Sequence, residues 1–118
     1  QIRNWNMNFV HGDILDKDLI KKHCQDADVV HHLAGITAVP RVKSEASSEK
    51  EKIIEEVGVV GTQNILDVIS DKCKIIFPST HVVYEGINEV KTDIKEDEEM
   101  KPVLSYASSK ASQCTRTY

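Results

Sequence analysis

The sequence predicts an α/β fold, a partial doubly wound parallel sheet with helices on both faces. Short runs of β-branched and apolar residues alternate along the chain with segments of helical periodicity, an order that indicates a parallel sheet with right-handed crossovers. The chain has 118 residues, of which 40% are hydrophobic and 29% are charged, as expected for one modest globular domain. Sheets of this kind bind ligands at the carboxyl ends of their strands.

The first predicted strand covers residues 8–10, where apolar and polar side chains alternate before a Gly-Asp pair at 12–13. Asp16 then has the position of an N-cap, and a short amphipathic helix is expected to follow up to Cys24. The order strand, turn, helix is therefore predicted for this part of the chain.

The second predicted strand, residues 28–34, is dominated by β-branched and apolar residues and ends at Gly35, a pattern typical of a strand buried on both faces. His31 and His32 are neighbours in this strand, so their side chains point to opposite faces and cannot bind one metal ion together. Both are predicted to be packed or hydrogen-bonded core histidines.

A long helix is predicted after a polar loop at residues 40–47. Ser48 and Glu51 have the spacing of a capping box, and the helix is expected to end near Ser70. Its apolar or small positions follow helical spacing, at Ile54, Val57, Gly61, Ile65 and Val68.

The third predicted strand, residues 74–78, ends in a proline and places Ser79 and Thr80 at its carboxyl end. Residues 85–100 are rich in acidic side chains and lack apolar periodicity, so a solvated loop is expected. A last helix is predicted to carry residues 106–116.

Composition argues against several classes of partner. The formal net charge of −4 disfavours nucleic acid, because phosphate neutralisation needs a basic face. No apolar stretch is long enough for a membrane span or a signal peptide, so a soluble, cytoplasmic protein without a membrane partner is expected. Three cysteines at wide spacings fit neither a disulfide framework nor a zinc knuckle, and no metal site is predicted.

Tyr106 and Lys110 are four residues apart on the last predicted helix, so their side chains share one face. A phenol has an ordinary pKa near 10, and a neighbouring ammonium lowers that pKa by stabilising the phenolate, which makes a tyrosine usable as a general base. Ser79 and Thr80, at a strand tip, could donate a hydrogen bond to an oxygen on which charge changes. Together these residues form a Ser/Thr, Tyr and Lys constellation.

Five segments occur in a fixed order: Gly-Asp-Ile-Leu-Asp (12–16), Asp-Val-Val-His-His-Leu-Ala-Gly (28–35), Val-Gly-Val-Val-Gly-Thr-Gln-Asn-Ile-Leu (57–66), Phe-Pro-Ser-Thr-His-Val-Val-Tyr (77–84) and Tyr-Ala-Ser-Ser-Lys (106–110). With them the chain resembles, over nearly its whole length, the NAD-dependent epimerase/dehydratase family of the extended short-chain dehydrogenase/reductase superfamily. The resemblance implies a Rossmann-type domain, a nucleotide-sugar substrate and the cofactor NAD, with NADP left open.

The resemblance also implies roles for individual residues. Tyr106 matches the catalytic base, Lys110 matches the lysine that binds the nicotinamide ribose and lowers the tyrosine pKa, and Thr80 matches the residue that hydrogen-bonds the reacting sugar oxygen. The other implied cofactor positions are Asp13 and Ile14 at the adenine, Leu33, Ala34 and Gly35 at the pyrophosphate and ribose, Pro78 and Ser79 beside the nicotinamide, and Thr37 near the ribose.

Residues 1–118 match the central part of a dinucleotide-binding domain. No Gly-x-Gly-x-x-Gly motif occurs, so the first βαβ unit, like the substrate domain, is expected to be missing and both ends to be cut. The resemblance implies a homodimer for the full-length parent, whereas the 118-residue chain alone is expected to be inactive.

Three residues depart from the pattern of the resembled family. Gly58 stands where an Asn is usual, Cys114 where a Glu is usual, and Pro78 where a Ser or Thr is frequent. Two other functions stay open at this point. One is a non-catalytic Rossmann-type nucleotide sensor or scaffold, and the other is a reductase or hydroxysteroid-type dehydrogenase of the same superfamily.

Overall fold

In the part of the chain that the structure describes, two short parallel strands form the sheet. The computed structural model describes residues 6–36, 48–87 and 92–117. Strand β1 (Val29–His31) pairs in parallel with strand β2 (Lys74–Ile76), residue for residue. The His32 N–H continues this pairing by donating to the Ile76 carbonyl at 2.9 Å. The predicted parallel sheet is therefore confirmed for these two strands.

Helix α1 (Lys17–Cys24) begins where the sequence places its cap. The Asp16 carboxylate accepts a hydrogen bond of 3.0 Å from the Leu19 N–H, which satisfies one of the backbone donors that a helix start leaves without a partner. Basic side chains occupy the last turn, where the helix dipole favours positive charge. The predicted cap and helix are both confirmed.

The segment predicted as one long helix is helical in three successive parts: α2 (Ser48–Glu55), a π-helical turn (Glu56–Val60) and α3 (Gly61–Leu66). The Gly58 carbonyl accepts hydrogen bonds from the Thr62 hydroxyl at 2.6 Å and from the Gln113 side-chain amide at 2.7 Å. These side-chain donors satisfy a carbonyl in the turn where the regular helical ladder is interrupted. The prediction of a uniform helix is corrected accordingly.

Helix α3 ends at Leu66 rather than near Ser70. The Ile65 carbonyl accepts hydrogen bonds from both the Val68 and the Ile69 N–H, each at 3.1 Å, and the first of these spans three residues, as in the tighter turns common at helix ends.

Helix α4 (Ser105–Thr117) packs against α2 and the π-helical turn. Its buried face combines apolar and polar residues, namely Ala107, Ser109, Lys110, Gln113 and Cys114. Among the residues that the structure describes, the other buried apolar side chains are those of Ile54, Ile65 and Val83. Among the described helices, none has both the length and the apolar character needed to cross a membrane.

A 3₁₀ turn (His81–Tyr84), which the sequence analysis did not predict, follows the tip of β2. After it, residues 85–87 and 92–100 contain no helix or strand, in agreement with the predicted acidic loop.

All three strand predictions need correction. The strand predicted at 74–78 is shorter and ends at Ile76. Residues 6–10 form no strand, because a strand needs a paired neighbour and none of the described residues pairs with them; Phe9 is 87% exposed. The strand predicted at 28–34 is shorter and is not buried on both faces, since Val29 is 44% exposed. His31 is also exposed, so of the two predicted core histidines only His32 is buried. The described part of the sheet has two strands, which leaves much of β1 uncovered.

Thr37 and the predicted loop at 40–47 lie outside the described residues.

Candidate active site

Four residues that the sequence analysis assigned to cofactor binding line a single cavity. The cavity has a volume of about 270 Å³ and lies between the chain preceding α1 and the end of β1. Its wall includes Asp13, Ile14, Leu33 and Ala34, with Ile65 of α3 contributing an apolar surface. A mostly apolar cavity with one carboxylate at its edge suits a flat heterocyclic base.

Two polar side chains hold the turn that carries Asp13 and Ile14. The Asp13 carboxylate accepts a hydrogen bond of 2.9 Å from the Leu15 N–H. The amide of Asn64, a buried residue of α3, donates to the Ile14 carbonyl at 3.1 Å. Sequence reasoning missed Asn64, although a polar residue on the apolar side of a predicted helix signals a buried hydrogen bond.

Lys110 is buried, with 9% of its surface exposed, and it lies near two aromatic rings. Its Nζ is 4.5 Å from the centre of the Phe77 ring and 6.0 Å from the centre of the Tyr106 ring. Burial lowers the pKa of Lys110, and the neighbouring Cys114 opposes part of this effect. Tyr106 and Lys110 therefore share one face of α4, as their spacing predicts.

Gly35 brings the backbone that follows β1 close to Lys110. A Cβ at Gly35 would lie 3.7 Å from the Lys110 Nζ, so this exposed backbone and the ammonium border the same space. Leu33, two residues earlier, is 73% exposed. This side of the site is thus open to a ligand.

His32 forms a buried polar contact next to Phe77, with its ring centre 5.4 Å from that of the phenyl ring. The His32 Nε2 lies 2.8 Å from the Thr62 hydroxyl oxygen, whose own proton goes to the Gly58 carbonyl, so the imidazole carries its proton on Nε2. Burial lowers the pKa of His32, and the charge of Lys110 lowers it further. Sequence reasoning identified His32 as a core residue but not its partner Thr62.

The loop after β2 carries the remaining predicted residues. Pro78 and Ser79 are exposed, and Thr80 is half-buried at the start of the 3₁₀ turn. The Cys114 thiol of α4 donates to the Ser79 hydroxyl at 3.0 Å. Cys114, which departs from the pattern of the resembled family, thus links α4 to this loop.

A larger cavity, about 440 Å³, lies between α2 and α4 and does not include the predicted residues in its wall. It is lined by Glu51, Lys52, Glu55, Val59, Val103, Ser105, Ser108, Ser109 and Ser112. We place the candidate active site at the carboxyl ends of the strands instead, because the predicted residues lie there. Within the described ranges, no three His, Cys, Asp or Glu side chains converge on a common point that would hold a metal ion.

A family model described as GDP-mannose 4,6 dehydratase matches residues 1–118, the whole chain. This chain belongs to the GDP-mannose 4,6-dehydratase family. The predicted membership of the NAD-dependent epimerase/dehydratase group of extended short-chain dehydrogenases/reductases is confirmed.

Three similar proteins each match most of this chain. The dTDP-glucose 4,6-dehydratase of Streptomyces niveus is 32% identical over 108 residues, which are 90% of this chain and 30% of that protein. The UDP-glucose 4-epimerase of Brucella ovis, solved with NAD, has a TM-score of 0.76 at 26% identity, over 92% of this chain and 33% of the epimerase. The UDP-glucuronic acid 4-epimerase of Bacillus cereus, also solved with NAD, has a TM-score of 0.74 at 30% identity, over 96% of this chain and 33% of that epimerase.

These structural neighbours confirm the predicted partial Rossmann-type α/β fold. The chain spans about a third of the length of the three relatives.

Proposed function

We propose that the protein containing this chain is an NAD-dependent epimerase or dehydratase that acts on a nucleotide sugar. The observation that carries the proposal is the position of Lys110, a buried ammonium that shares a helix face with Tyr106 and borders the exposed Gly35 backbone. A sensor or scaffold needs no buried cation beside a tyrosine, so this arrangement favours an enzyme.

The residues of this chain fit a nicotinamide dinucleotide. The cavity beside Asp13 and Ile14 would take the adenine, and the exposed backbone at Gly35 would allow close approach of the phosphates and ribose. Lys110 would bind the hydroxyls of the nicotinamide ribose. Both solved epimerases contain NAD, and we extend that cofactor to this chain. When bound, NAD supplies a hydride acceptor.

Tyr106, Lys110 and Thr80 would perform the proton chemistry. The Tyr106 oxygen takes the proton of a sugar hydroxyl while the carbon bearing that hydroxyl loses hydride and becomes a ketone. The Lys110 ammonium stabilises negative charge on the Tyr106 oxygen, and its burial strengthens this effect because the local dielectric is low. The Thr80 hydroxyl donates a hydrogen bond to the reacting oxygen.

The test is a substrate panel, using the longest natural protein that contains this chain (called the full-length protein below). NAD is mixed with GDP-, UDP- and dTDP-linked hexoses and with a hydroxysteroid, while reduced nicotinamide and rearranged sugars are measured. We expect turnover of a nucleotide sugar. Oxidation of the steroid alone would support the hydroxysteroid-type alternative, and NAD binding without turnover of any compound would support the sensor.

A further inference from the structure

Two backbone hydrogen bonds, which we call the neck, join the two ends of the acidic loop that follows the 3₁₀ turn. The Gly86 N–H donates to the Lys101 carbonyl at 2.8 Å, and the Lys101 N–H donates to the Val83 carbonyl at 2.8 Å. A Cβ at Gly86 would lie 2.4 Å from the Lys101 carbonyl oxygen, so the two backbones approach as closely as glycine allows. The neck thus brings the end of the 3₁₀ turn next to the start of α4.

Glu85 adds a side-chain contact to this neck. Its Oε1 accepts hydrogen bonds from the Val103 N–H at 2.9 Å and from the Leu104 N–H at 2.7 Å. These amides directly precede α4, where backbone donors lack helical partners and negative charge is favourable. One carboxylate oxygen therefore holds the chain at the point where α4 begins.

Glu85 links the two segments of the chain that carry the proposed catalytic residues. Thr80 precedes Glu85 by five residues through the 3₁₀ turn, and Tyr106 follows Leu104 by two residues. From this placement we infer that Glu85 is a positioning residue: through the start of α4 it sets the position of Tyr106 relative to Thr80. This inference rests on the proposed function.

Other side-chain contacts of α4 tie the helix to different segments of the chain. Gln113 and Cys114 bind Gly58 and Ser79 about two turns beyond Tyr106. The Ser105 hydroxyl donates to Glu51 at 2.6 Å, which ties the first turn to α2. Glu85 ties the residues just before this first turn to the segment carrying Thr80.

The test compares Glu85→Ala, Glu85→Asp and Glu85→Gln in the full-length protein, with Asp97→Ala as a control at an exposed acid of the same loop. Both hydrogen bonds use one oxygen, so Gln keeps the acceptor, Asp keeps the charge but shortens the reach, and Ala removes both. We expect kcat to fall about tenfold to a hundredfold in the Ala and Asp variants, with KM and the NAD Kd within about threefold of wild type. The Gln and control variants should match wild type.

Hydrogen exchange at the Val103 and Leu104 amides gives a second measurement that does not depend on activity. Loss of a hydrogen bond to a charged group should speed exchange about tenfold or more in the Ala and Asp variants, and Gln should restore protection. Wild-type kcat in both the Ala and the Asp variant, unchanged exchange, or a KM that rises as much as kcat falls would overturn the positioning role. Failure of wild type to turn over any nucleotide sugar would instead overturn the proposed function and this role with it, while exchange still decides whether Glu85 holds α4. If the Ala variant does not fold, the Asp and Gln pair decides the question.

Discussion

The Gln113 side-chain amide donates a hydrogen bond of 2.7 Å to the Gly58 backbone carbonyl and joins α4 to the π-helical turn. A Cβ at position 58 would lie 2.1 Å from the Ser109 Oγ and 3.0 Å from the Gln113 Nε2. A side chain at this position would therefore force the Ser109 hydroxyl, and with it the neighbouring Gln113 amide, to move. The departure from the Asn of the family pattern has a physical reason in this close packing.

Gly58→Ala should lower the free energy of unfolding by about 1–3 kcal/mol, because the added methyl group displaces Ser109 from a well-packed contact. The measurement is urea unfolding of the full-length protein. Ser109→Ala in the same chain should recover part of the loss, since it removes the clashing oxygen. Gly35→Ala is the matched control and should have little effect, because its Cβ would meet its nearest neighbour at 3.7 Å. Equal stability of Gly58→Ala and wild type would contradict the close packing.

His32 should make the fold sensitive to mild acid. Its pKa is lowered in the folded state, chiefly by burial, so as the pH falls below about 6.5 the unfolded chain binds a proton that the folded chain does not. Stability from this group is therefore lost as the pH falls, by at most about 1.4 kcal/mol per pH unit.

The measurement for His32 is the thermal unfolding midpoint between about pH 7.5 and pH 5. His32→Gln keeps an amide that can donate to Thr62 but cannot titrate, so it should show a flatter pH dependence. It loses the ring contact with Phe77, so it should also be less stable near neutral pH. His31→Gln, at an exposed neighbour in the same strand, should leave the wild-type slope unchanged. A His32→Gln slope equal to wild type would rule out His32 as the source.

Lys110→Met should separate stability from function. Methionine fills similar volume against Phe77 and Tyr106 without a desolvated ammonium, so the unfolding midpoint should stay the same or rise. The NAD Kd should rise about tenfold to a hundredfold with the loss of a charged hydrogen-bond donor, and turnover should fall further. Lys101→Met, at an exposed lysine, is the control. Wild-type NAD affinity in Lys110→Met, measured calorimetrically, would remove Lys110 from the cofactor site.

Thr80→Ala should lower kcat about tenfold to a hundredfold, because one hydrogen bond to the reacting oxygen is lost. Thr80→Ser keeps the hydroxyl and should behave as wild type in the same steady-state assay. A serine variant as slow as the alanine variant would show that the methyl group, rather than the hydroxyl, is what Thr80 contributes.

Features that depend on neighbouring residues in the chain were predictable from the sequence. Asp16 caps α1, and Tyr106 and Lys110 share a face of α4, because a cap and an i, i+4 pair depend only on local helix geometry. The parallel direction of β1 and β2 is a long-range exception, which the alternation of strands and helices along the chain predicts.

Features that depend on distant residues were not predictable in this way. The π-helical turn is accompanied by a hydrogen bond from Gln113, 55 residues beyond Gly58. Asn64 reaches back 50 residues to Ile14, and Glu85 reaches forward 19 residues to Leu104. The alternation at residues 8–10 is compatible with a strand, but pairing depends on a neighbour that local sequence does not specify.

The assignment of Tyr106 as the general base is tested most directly by the single-turnover rate of NAD reduction in the full-length protein carrying Tyr106→Phe, with the NAD Kd measured on the same preparation. Tyr84→Phe is the matched control, since the Tyr84 hydroxyl contacts the Glu96 carbonyl in the acidic loop. We predict an NAD Kd within about threefold of wild type and a rate of reduction lower by about two to four orders of magnitude, because only the proton acceptor is lost. A Tyr106→Phe rate within tenfold of both wild type and Tyr84→Phe would contradict the assignment of Tyr106 as the base.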